Sequence, residues 1–401
     1  MTMSHYFDHA ATTPMRPSAI SAWNDVACQV GNPSAIHGAG RAARKIVEES
    51  REMIAAELRL DPGEVIFTSG GTEADNMAVQ GIARARRAGD DRLSTVLVSP
   101  IEHHAVLDAA YGLVGEGFTV IELPVNADGV IDIDGTRELA DEYADRIALA
   151  TCMWVNNEIG TIQPVEQLAD IMAEYSIPYH CDAVQAAWVA PANSTPSDQQ
   201  PPRPGSASFL FSHLGLASFA LSAHKIGGPM GVGALILPRT IPVQPVYFGG
   251  GQERKLRSGS VPVPLVASFA SAMYEAGCNR EEERARLTHL HTRLESILTS
   301  MDADIIGDSV PRTPSITYAL FPGCSAQDLI VLLDQQDIFV STGSACTAGV
   351  VQPSHVLTAL GRSEKESLTG LRFSLGWSTT DDDLDALATA LPSVIARARR
   401  I

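Results

Sequence analysis

The stretch VIFTSGGTE, residues 65–73, decides the fold class. It begins with β-favouring residues, continues through a serine and two glycines, and ends on Thr72-Glu73, a pair typical of a helix start. A strand, a tight turn and a helix in direct succession predict an α/β unit. Glycines in such a turn let the backbone approach a phosphate, which the free N–H groups of the helix would bind. An ordinary turn with Thr72 as the helix N-cap explains the stretch equally well.

Similar β-favouring runs follow along the chain, and helical or polar stretches separate most of them. They cover residues 95–99, 119–123, 147–151, 177–181, 219–222 and 232–237. This alternation predicts an α/β domain built on a largely parallel sheet. Ligands of such sheets bind at the carboxyl ends of the strands, and the polar motifs of this chain stand at those ends.

The remainder of the chain predicts a second, smaller domain. Apolar residues at helical spacing predict helices over 39–58 and 281–299, and a last helix starts at Thr380. The composition changes near residue 262, so we place a large α/β domain at 14–261 and a smaller α+β domain at 1–13 with 262–401. Residues 191–206 carry several prolines among polar residues, which predicts a surface loop or insertion.

The composition limits the possible functions. The chain has 401 residues, of which 45% are hydrophobic, and a net charge of −18 at pH 7. Nucleic-acid affinity depends on Lys and Arg, so we expect no direct DNA binding. No apolar run is long enough to cross a membrane, and residues 1–13 lack the apolar core of a signal peptide, so we expect a cytoplasmic protein. The six cysteines form no C-x-x-C pair, which argues against a disulfide scaffold or a zinc site.

Lys225 is the candidate catalytic residue with the most informative surroundings. It lies in the run SAHKIGGP, residues 222–229, where a hydroxyl, an imidazole and glycines flank the amine. Such a run suits an imine-forming lysine beside a bound phosphate. With Asp182 upstream, it makes the pair that pyridoxal 5'-phosphate (PLP) requires: the lysine holds the aldehyde, and the aspartate keeps the pyridine nitrogen protonated. A surface lysine on a glycine loop is the alternative.

Two further motifs supply polar groups that a cofactor ring could use. In Glu102-His103-His104, an imidazole could stack on a flat ring and move protons, although a plain polar loop is an equal explanation. Asn157 follows the apolar run 148–155, and its amide could hydrogen-bond a phenolic oxygen or belong to an ordinary turn.

Cys346 and Arg372 are candidates for handling a substrate. Cys346 lies among small residues in GSACTAG, residues 343–349, which predicts an exposed loop whose thiol can react as a thiolate. Arg372 is a charge inside the apolar, strand-like run LRFSLG, residues 371–376. A guanidinium there suits an α-carboxylate, and the alternative is a buried ion pair with one of the chain's own acids.

Together these motifs resemble those of the cysteine desulfurases, PLP enzymes of the class-V aminotransferase group (fold type I). Their order and spacing agree over nearly the whole chain, apart from the proline-rich stretch. The matching segments are 8–14 (DHAATTP), 31–34 (GNPS), 67–76 (FTSGGTEADN), 102–103 (EH), 155–160 (VNNEIG), 182–185 (DAVQ), 222–225 (SAHK), 249–253 (GGGQE), 257–260 (RSGS), 344–346 (SAC) and 372–374 (RFS).

The resemblance implies a mostly parallel seven-stranded sheet and a role for each candidate residue. Lys225 would bond to the PLP aldehyde and later move the Cα proton, while His103 stacks on the ring and Asp182 pairs with the pyridine nitrogen. Cys346 would attack the substrate sulfur and become a persulfide as alanine leaves. The other implied contacts are Asn157 and Gln185 to the ring hydroxyl, Gly71, Thr72, Ser222 and His224 to the phosphate, Ser260 to the phosphate in the neighbouring subunit, and Arg372 with Asn32 and Asn157 to the substrate.

The expected protein is therefore a homodimeric L-cysteine desulfurase that needs no metal. It would pass sulfur to a scaffold for iron–sulfur assembly or to a carrier for tRNA thiolation. The first alternative is a class-V aminotransferase, or a lyase acting on selenocysteine or a cysteine derivative. The second is a non-catalytic sulfur-carrier protein with a vestigial PLP site, against which the presence of Lys225, Asp182 and His103 argues.

Overall fold

The structure, a computed structural model, describes residues 4–186, 214–343 and 352–400. The expected surface loop at 191–206 and the thiol of Cys346 lie outside the described residues. The strands are β1 His5–Tyr6, β2 Val65–Thr68, β3 Thr95–Val98, β4 Thr119–Glu122, β5 Ile147–Thr151, β6 Tyr179–Asp182, β7 Ser218–Ser222, β8 Gly233–Ile236, β9 Asp304–Ile305, β10 Ile316–Leu320, β11 Ile338–Phe339 and β12 Gly370–Ser374. The helices are α1 Pro17–Ala27, α2 Gly38–Leu58, α3 Gly71–Gly89, α4 His104–Gly112, α5 Ile133–Tyr143, α6 Val165–Glu174, α7 Val263–Cys278, α8 Arg280–Thr299, α9 Ala326–Asp334, α10 His355–Ala359, α11 Glu364–Ser367 and α12 Asp381–Ala398.

A seven-stranded sheet forms the centre of the larger part of the molecule. Its strand order is β2-β8-β7-β6-β5-β3-β4. The strands from β4 to β7 pair in parallel, whereas β8 runs antiparallel between β7 and β2. All strands except the edge strand β4 are buried along their whole length. Burial on both faces explains why most of them are nearly continuous apolar runs, and the predicted mostly parallel seven-stranded sheet is confirmed.

The strand bounds agree with the sequence patterns to within two residues. The largest difference is in β6, predicted at 177–181 and found at Tyr179–Asp182. Pro178 has no N–H group to donate to the sheet, so the strand begins after it. The carboxyl end of β6 consequently falls on Asp182 itself, and this places the side chain of Asp182 at the edge where ligands bind.

Helices cover both faces of the large sheet. On one face α3 and α4 pack through residues such as Met77 and Val106. On the other face α2, α6 and α7 contribute to a larger core, in which the thiols of Cys152 and Cys181 are fully buried, as predicted. Among the described residues, no helix is both long and apolar enough to cross a bilayer.

The C-terminal part is built on the antiparallel sheet β12-β10-β9. Its core joins α8, α9 and α12 with Phe7 from the start of the chain, and β1 pairs with β11. The assignment of residues 1–13 with the C-terminal domain stays a prediction, and this packing supports it. Helix α7 packs against α1 and α2 in the large core, so the packing favours a boundary near residue 279 over the one at 262.

Candidate active site

A cavity of about 420 Å³ opens at the carboxyl ends of β6 and β7. Asp182 ends β6, Ser222 ends β7, and Lys225 lies on the turn that follows. The sequence-predicted site residues that line the cavity are Gly71, Thr72, His103, Asn157, Asp182, Gln185, Ser222, His224, Lys225 and Arg372. The fold therefore brings together segments that lie up to three hundred residues apart in the sequence.

Three predicted site residues are not among those that line this cavity. Asn32 is exposed, and its side-chain oxygen accepts a hydrogen bond from the Ser34 backbone N–H at 2.9 Å. Ser260 is also exposed and does not line the cavity. Cys346 belongs to residues 344–351, which the structure does not describe, but Gly343 before this segment and His355 after it both line the cavity.

The Lys225 amine is held by the N-terminal segment. Its Nζ donates hydrogen bonds to the carbonyl oxygens of Ala10 at 2.5 Å and Ala11 at 2.8 Å. Burial, and then the positive charge of Arg372, lower the pKa of Lys225 to about 8. A substantial fraction of this amine is therefore neutral near physiological pH, which is the form that reacts with an aldehyde.

The start of α3 forms one wall of the cavity. The helix begins at Gly71, with Gly70 in the N-cap position and no side-chain cap, so the alternative explanation with Thr72 as the N-cap does not hold. Uncapped N–H groups at a helix start are donors for an anion such as phosphate. A Cβ atom on Gly71 would lie 2.8 Å from Cγ2 of Val184, so a larger residue here would have to displace the Val184 side chain.

His224 lies beside this wall. Its Nδ1 is 3.1 Å from the hydroxyl of Thr12. Burial, and then the charge of Lys225, lower the pKa of His224 to about 4, so the imidazole is neutral. A neutral imidazole that is hydrogen-bonded at one nitrogen can still donate or accept at the other.

Asp182 lies at the bottom of the cavity, only 6% exposed. Its Oδ1 accepts the backbone N–H of Val184 at 2.8 Å. Burial raises the pKa of Asp182 to about 6, while the Val184 N–H group and the Lys225 charge act in the opposite direction. No ion pair of Asp182 with a lysine or arginine is present among the described residues, and a buried carboxylate in that state is suited to pair with a protonated ring nitrogen.

His103 is the N-cap of α4. Its Nδ1 accepts the backbone N–H of Ala105 at 3.1 Å, so the proton of the neutral ring is on Nε2. Burial, followed by the charges of Lys225 and of the histidines His104 and His355, lowers the pKa of His103 to about 4. The predicted stacking residue is thus a neutral imidazole with a fixed tautomer.

Arg372 reaches the cavity from β12 and is 4% exposed. One terminal nitrogen donates to Oδ1 of Asp8 at 2.7 Å, and the other donates to the carbonyl oxygen of Asn157 at 2.8 Å. Its Nε is buried and has no partner among the described residues. The internal ion pair that was the alternative for this residue is present, and the residue also lines the cavity.

The comparisons with known proteins agree with this geometry. The sequence matches the class-V aminotransferase family over residues 5–198 and 205–387. A protein of Mycobacterium tuberculosis named IscS-like cysteine desulfurase is 43% identical over 98% of this chain and 97% of that protein. This chain belongs to the cysteine desulfurase family.

A Bacillus subtilis relative, named putative cysteine desulfurase IscS 1, is 36% identical over 98% of both chains. A solved structure described as a NifS-like protein has a TM-score of 0.86 at 31% identity and covers 98% of this chain and 100% of that one.

The cofactor of this family is PLP, and the cavity of this family member fits it. The uncapped start of α3 suits the phosphate, Asp182 suits the pyridine nitrogen, and the partly neutral Lys225 suits the aldehyde. A glycine at position 71 lets the start of α3 pack against Val184, since a Cβ there would lie 2.8 Å from Cγ2 of Val184. The predicted family, fold and cofactor are confirmed.

His355 is a cavity residue that the sequence analysis did not identify. Its Nε2 donates to the carbonyl oxygen of Glu102 at 2.8 Å, and its ring centre is 4.7 Å from that of His104. Ser354 before it caps α10 and donates its hydroxyl to the buried carboxylate of Glu158 at 2.5 Å. The only signal in the sequence was a serine before a short apolar helix, which says nothing about the contact with Glu102.

We predict that the PLP-free protein takes up PLP with a pH midpoint near 8, because the neutral form of Lys225 becomes the major form above that pH. The rate at which the visible absorption band appears after PLP is added measures this. A Lys225→Ala variant should form no such band. The matched control Lys45→Ala removes an ammonium that is 74% exposed, and it should behave as the parent does. A midpoint near the ordinary lysine value of 10.5 would contradict the prediction.

Proposed function

We propose that the protein converts L-cysteine to L-alanine and takes the sulfur as a persulfide on Cys346. The observation that carries the proposal is the single cavity lined by Lys225, Asp182, His103 and Arg372, in a chain that is 43% identical to an IscS-like cysteine desulfurase. The reaction balances as L-cysteine plus the thiol of Cys346 giving L-alanine plus the persulfide of Cys346.

Bound PLP would supply an aldehyde for the substrate amine and a ring that accepts electrons from bonds at the substrate Cα. Asp182 would hold the pyridine nitrogen, and the start of α3 with Ser222 and His224 would hold the phosphate. Gln185 already donates to the carbonyl oxygen of Ala10 at 3.0 Å, and from there it would reach the ring hydroxyl together with Asn157.

Lys225 would move the protons, and His103 would supply a hydrogen bond. The pKa of Lys225 is lowered to about 8, so the amine can accept a Cα proton and return it near neutral pH. His103 is neutral and carries its proton on Nε2, since its Nδ1 accepts a backbone N–H. An imidazole in that state can donate a hydrogen bond from Nε2 to a group above the ring.

Cys346 would receive the sulfur. The segment that carries it is bounded by Gly343 and His355, and both of these residues line the cavity. Its thiolate would form a bond with the substrate sulfur while the Cβ–S bond of the substrate breaks. The electron pair of the broken bond stays with the carbon, which is protonated to give alanine. An acceptor thiol would then take the outer sulfur and restore the Cys346 thiol.

Arg372 would bind the substrate carboxylate. Its Nε is the donor without a partner among the described residues, and Asp8 holds one of its terminal nitrogens. A substrate carboxylate would therefore share the guanidinium with Asp8 or replace it. This positions the substrate on the side of the cavity that the N-terminal segment and β12 form together.

We predict that Cys346→Ala lowers sulfide production from L-cysteine by about a thousand-fold or more, because the group that accepts the sulfur is lost. The visible band of bound PLP should be unchanged, since Lys225 and Asp182 remain. Alanine and sulfide are quantified with L-cysteine and a thiol reductant. The matched control Cys278→Ala removes an exposed thiol at the end of α7 and should leave both products at the parental rate.

A parental rate in Cys346→Ala would remove Cys346 from the reaction. A keto acid in place of alanine would instead favour the aminotransferase or lyase alternatives. A protein that binds no PLP would overturn the assignment of Lys225.

We predict that Arg372→Lys raises the KM for L-cysteine about 10- to 100-fold with a smaller change in kcat. Losing a charged hydrogen bond to the carboxylate costs about 1.5–3 kcal/mol, and about 1.4 kcal/mol corresponds to tenfold in binding. Steady-state kinetics over a range of L-cysteine concentrations give the two constants separately. Arg362→Lys, at a surface ion pair with Asp304, is the control. An unchanged KM would mean that Arg372 does not bind the substrate carboxylate and serves only its internal contacts with Asp8 and Asn157.

We propose that two copies of the chain form a homodimer and that Ser260 completes the PLP phosphate site of the neighbouring copy. Ser260 is exposed and lies outside the cavity of its own chain. The segments around Asn32 and before Ser260 carry strongly exposed apolar side chains, namely Val30 at 89%, Ile36 at 88% and Phe248 at 84%. Exposed apolar groups of this size are typical of an interface.

We predict that the variants Lys225→Ala and Ser260→Glu, each inactive alone, regain activity when they are mixed under conditions that exchange subunits. A mixed dimer would contain one site with an intact Lys225 and an intact Ser260 from different chains. A glutamate at 260 should repel the phosphate. Activity of the mixture is measured against each variant alone, and light scattering gives the mass. No recovery in a proven mixed dimer would show that Ser260 does not serve the neighbouring site.

The sulfur acceptor and the compartment are also proposals. We propose an acceptor that presents a thiol, either a scaffold for iron–sulfur assembly or a carrier for tRNA thiolation, and a reducing, cytoplasmic location. The named relatives are called IscS-like and IscS, and the five cysteines among the described residues are free thiols. A reducing compartment would keep both the Cys346 thiol and the acceptor thiol reactive.

A further inference from the structure

A row of polar side chains crosses the large sheet behind Asp182. In the strand register, Thr151 of β5 lies beside His180 of β6, and His180 lies beside Ser218 of β7. Side chains two residues apart in a strand share a face, so this row faces the same side as Asp182. Helix α3 packs against these strands, and its core there is otherwise apolar.

Asp75 of α3 contacts the middle of this row. Its Oδ1 lies 3.2 Å from Nε2 of His180, and Nδ1 of His180 lies 2.8 Å from the hydroxyl of Ser218. All three residues are at most 1% exposed. Asp75, which also lines the cavity, thus connects α3 to His180 on β6, the strand that ends at Asp182, and through His180 to Ser218 on β7.

Glu102 approaches the same row from the end of β3. It is fully buried, and its Oε1 accepts the hydroxyl of Thr151 at 3.3 Å. Its Oε2 is buried and has no hydrogen-bond partner among the described residues. An ionised carboxylate with an unsatisfied buried oxygen would be costly, whereas a protonated one carries no net charge.

The charges around these three acids favour a single ionised carboxylate. Asp75, Glu102 and Asp182 interact with one another, and burial followed by this repulsion raises the pKa of Asp75 and of Glu102 well above the usual range. The Thr151 hydroxyl and the Met153 backbone N–H act in the opposite direction on the pKa of Glu102, but burial outweighs them. Burial lowers the pKa of His180 to about 3, so His180 is neutral. The nearby cation is Lys225, which interacts with Asp182. Among the described residues, the other titratable neighbours include Cys152, Cys181 and Tyr179, whose burial raises their pKa values, so that they too are neutral. His103, next to Glu102 in the chain, is also neutral.

We propose that Asp75 and Glu102 are neutral, protonated acids in the folded enzyme, so that Asp182 is the single anion offered to the pyridine nitrogen of PLP. The last part rests on the proposed role of Asp182 in the desulfurase. The Asp75 hydroxyl then donates to Nε2 of His180, and the Nδ1–H of His180 donates to Ser218. If a second anion stood beside Asp182, the two carboxylates would bind a proton between them. That proton would then not remain on the pyridine nitrogen of PLP. Asp75 and His180 are therefore positioning residues.

Infrared difference spectra of the PLP-loaded enzyme at neutral pH test the protonation directly. The spectrum of the parent minus that of Asp75→Asn should show one carbonyl stretch of a protonated carboxylic acid, and the same should hold for Glu102→Gln. Asn and Gln keep the shape of the neutral acids, so both variants should fold. The control Asp145→Asn removes a carboxylate that is 71% exposed and should show only the bands of an ionised carboxylate. Bands of an ionised carboxylate in the Asp75 or Glu102 difference spectrum would overturn the proposal.

Thermal unfolding gives a second, independent readout. A buried acid with a raised pKa holds a proton that the unfolded chain releases, so the parent loses stability as the pH rises. Asn cannot titrate. The Tm of Asp75→Asn minus the Tm of the parent should therefore increase as the pH is raised from about 5 to about 8. A difference that stays constant or decreases over this range would mean that Asp75 is ionised in the folded enzyme.

The visible band of bound PLP separates this proposal from the proposed function. Asp75→Asn should leave the pH midpoint of that band unchanged, because one neutral group replaces another. Loss of an anion would instead lower the midpoint, since it had stabilised the protonated form, and that result would overturn the proposal. Failure of the parent to bind PLP would overturn the role of Asp182 in the proposed function, while the infrared and unfolding results would still decide the charge of Asp75 and Glu102.

Discussion

The site depends on the removal of ionisable groups from water at the carboxyl edge of the large sheet. Burial lowers the pKa of Lys225 to about 8 and raises that of Asp182 to about 6. The same physical cause thus moves the pKa of a base downward and the pKa of an acid upward, so that both values approach pH 7. On the protein surface, the lysine would stay charged and the aspartate would be a fully hydrated anion. The buried strands and the helices on both faces limit the access of water to these groups, although the cavity opens at the same edge.

Much of this arrangement could be predicted from the sequence, for identifiable reasons. Strands such as β2 and β5 are buried on both faces, and they therefore appear as short apolar runs ended by glycine or polar residues. Since parallel strands end at a common edge, the polar residues that follow them were expected to meet, and Asp182, Ser222 and Lys225 do line one cavity. The roles of individual residues came from the family resemblance, because position at an edge does not by itself identify a cofactor.

Contacts between distant segments could not be predicted. The sequence left two explanations for Arg372 open, since nothing local indicates that Asp8 lies 2.7 Å from its guanidinium. His355 and His180 were missed because their importance depends on Glu102 and Asp75, which other elements supply. An assembly of buried polar groups is specified by packing and not by periodicity, so the pattern that identifies a strand is silent about it.

The N-terminal segment makes the order of synthesis relevant to this enzyme. The carbonyl groups of Ala10 and Ala11 hold the Lys225 amine, and Asp8 pairs with Arg372, which lies 364 residues later in the chain. β1 also pairs with β11. A nascent chain therefore exposes the partners of its future site from the first moments of translation, yet cannot complete the site until almost the whole chain has left the ribosome. Contacts between segments so far apart in the sequence form slowly during folding. The Lys225 amine and the Arg372 guanidinium therefore come together in one site only after almost the whole enzyme has been synthesised.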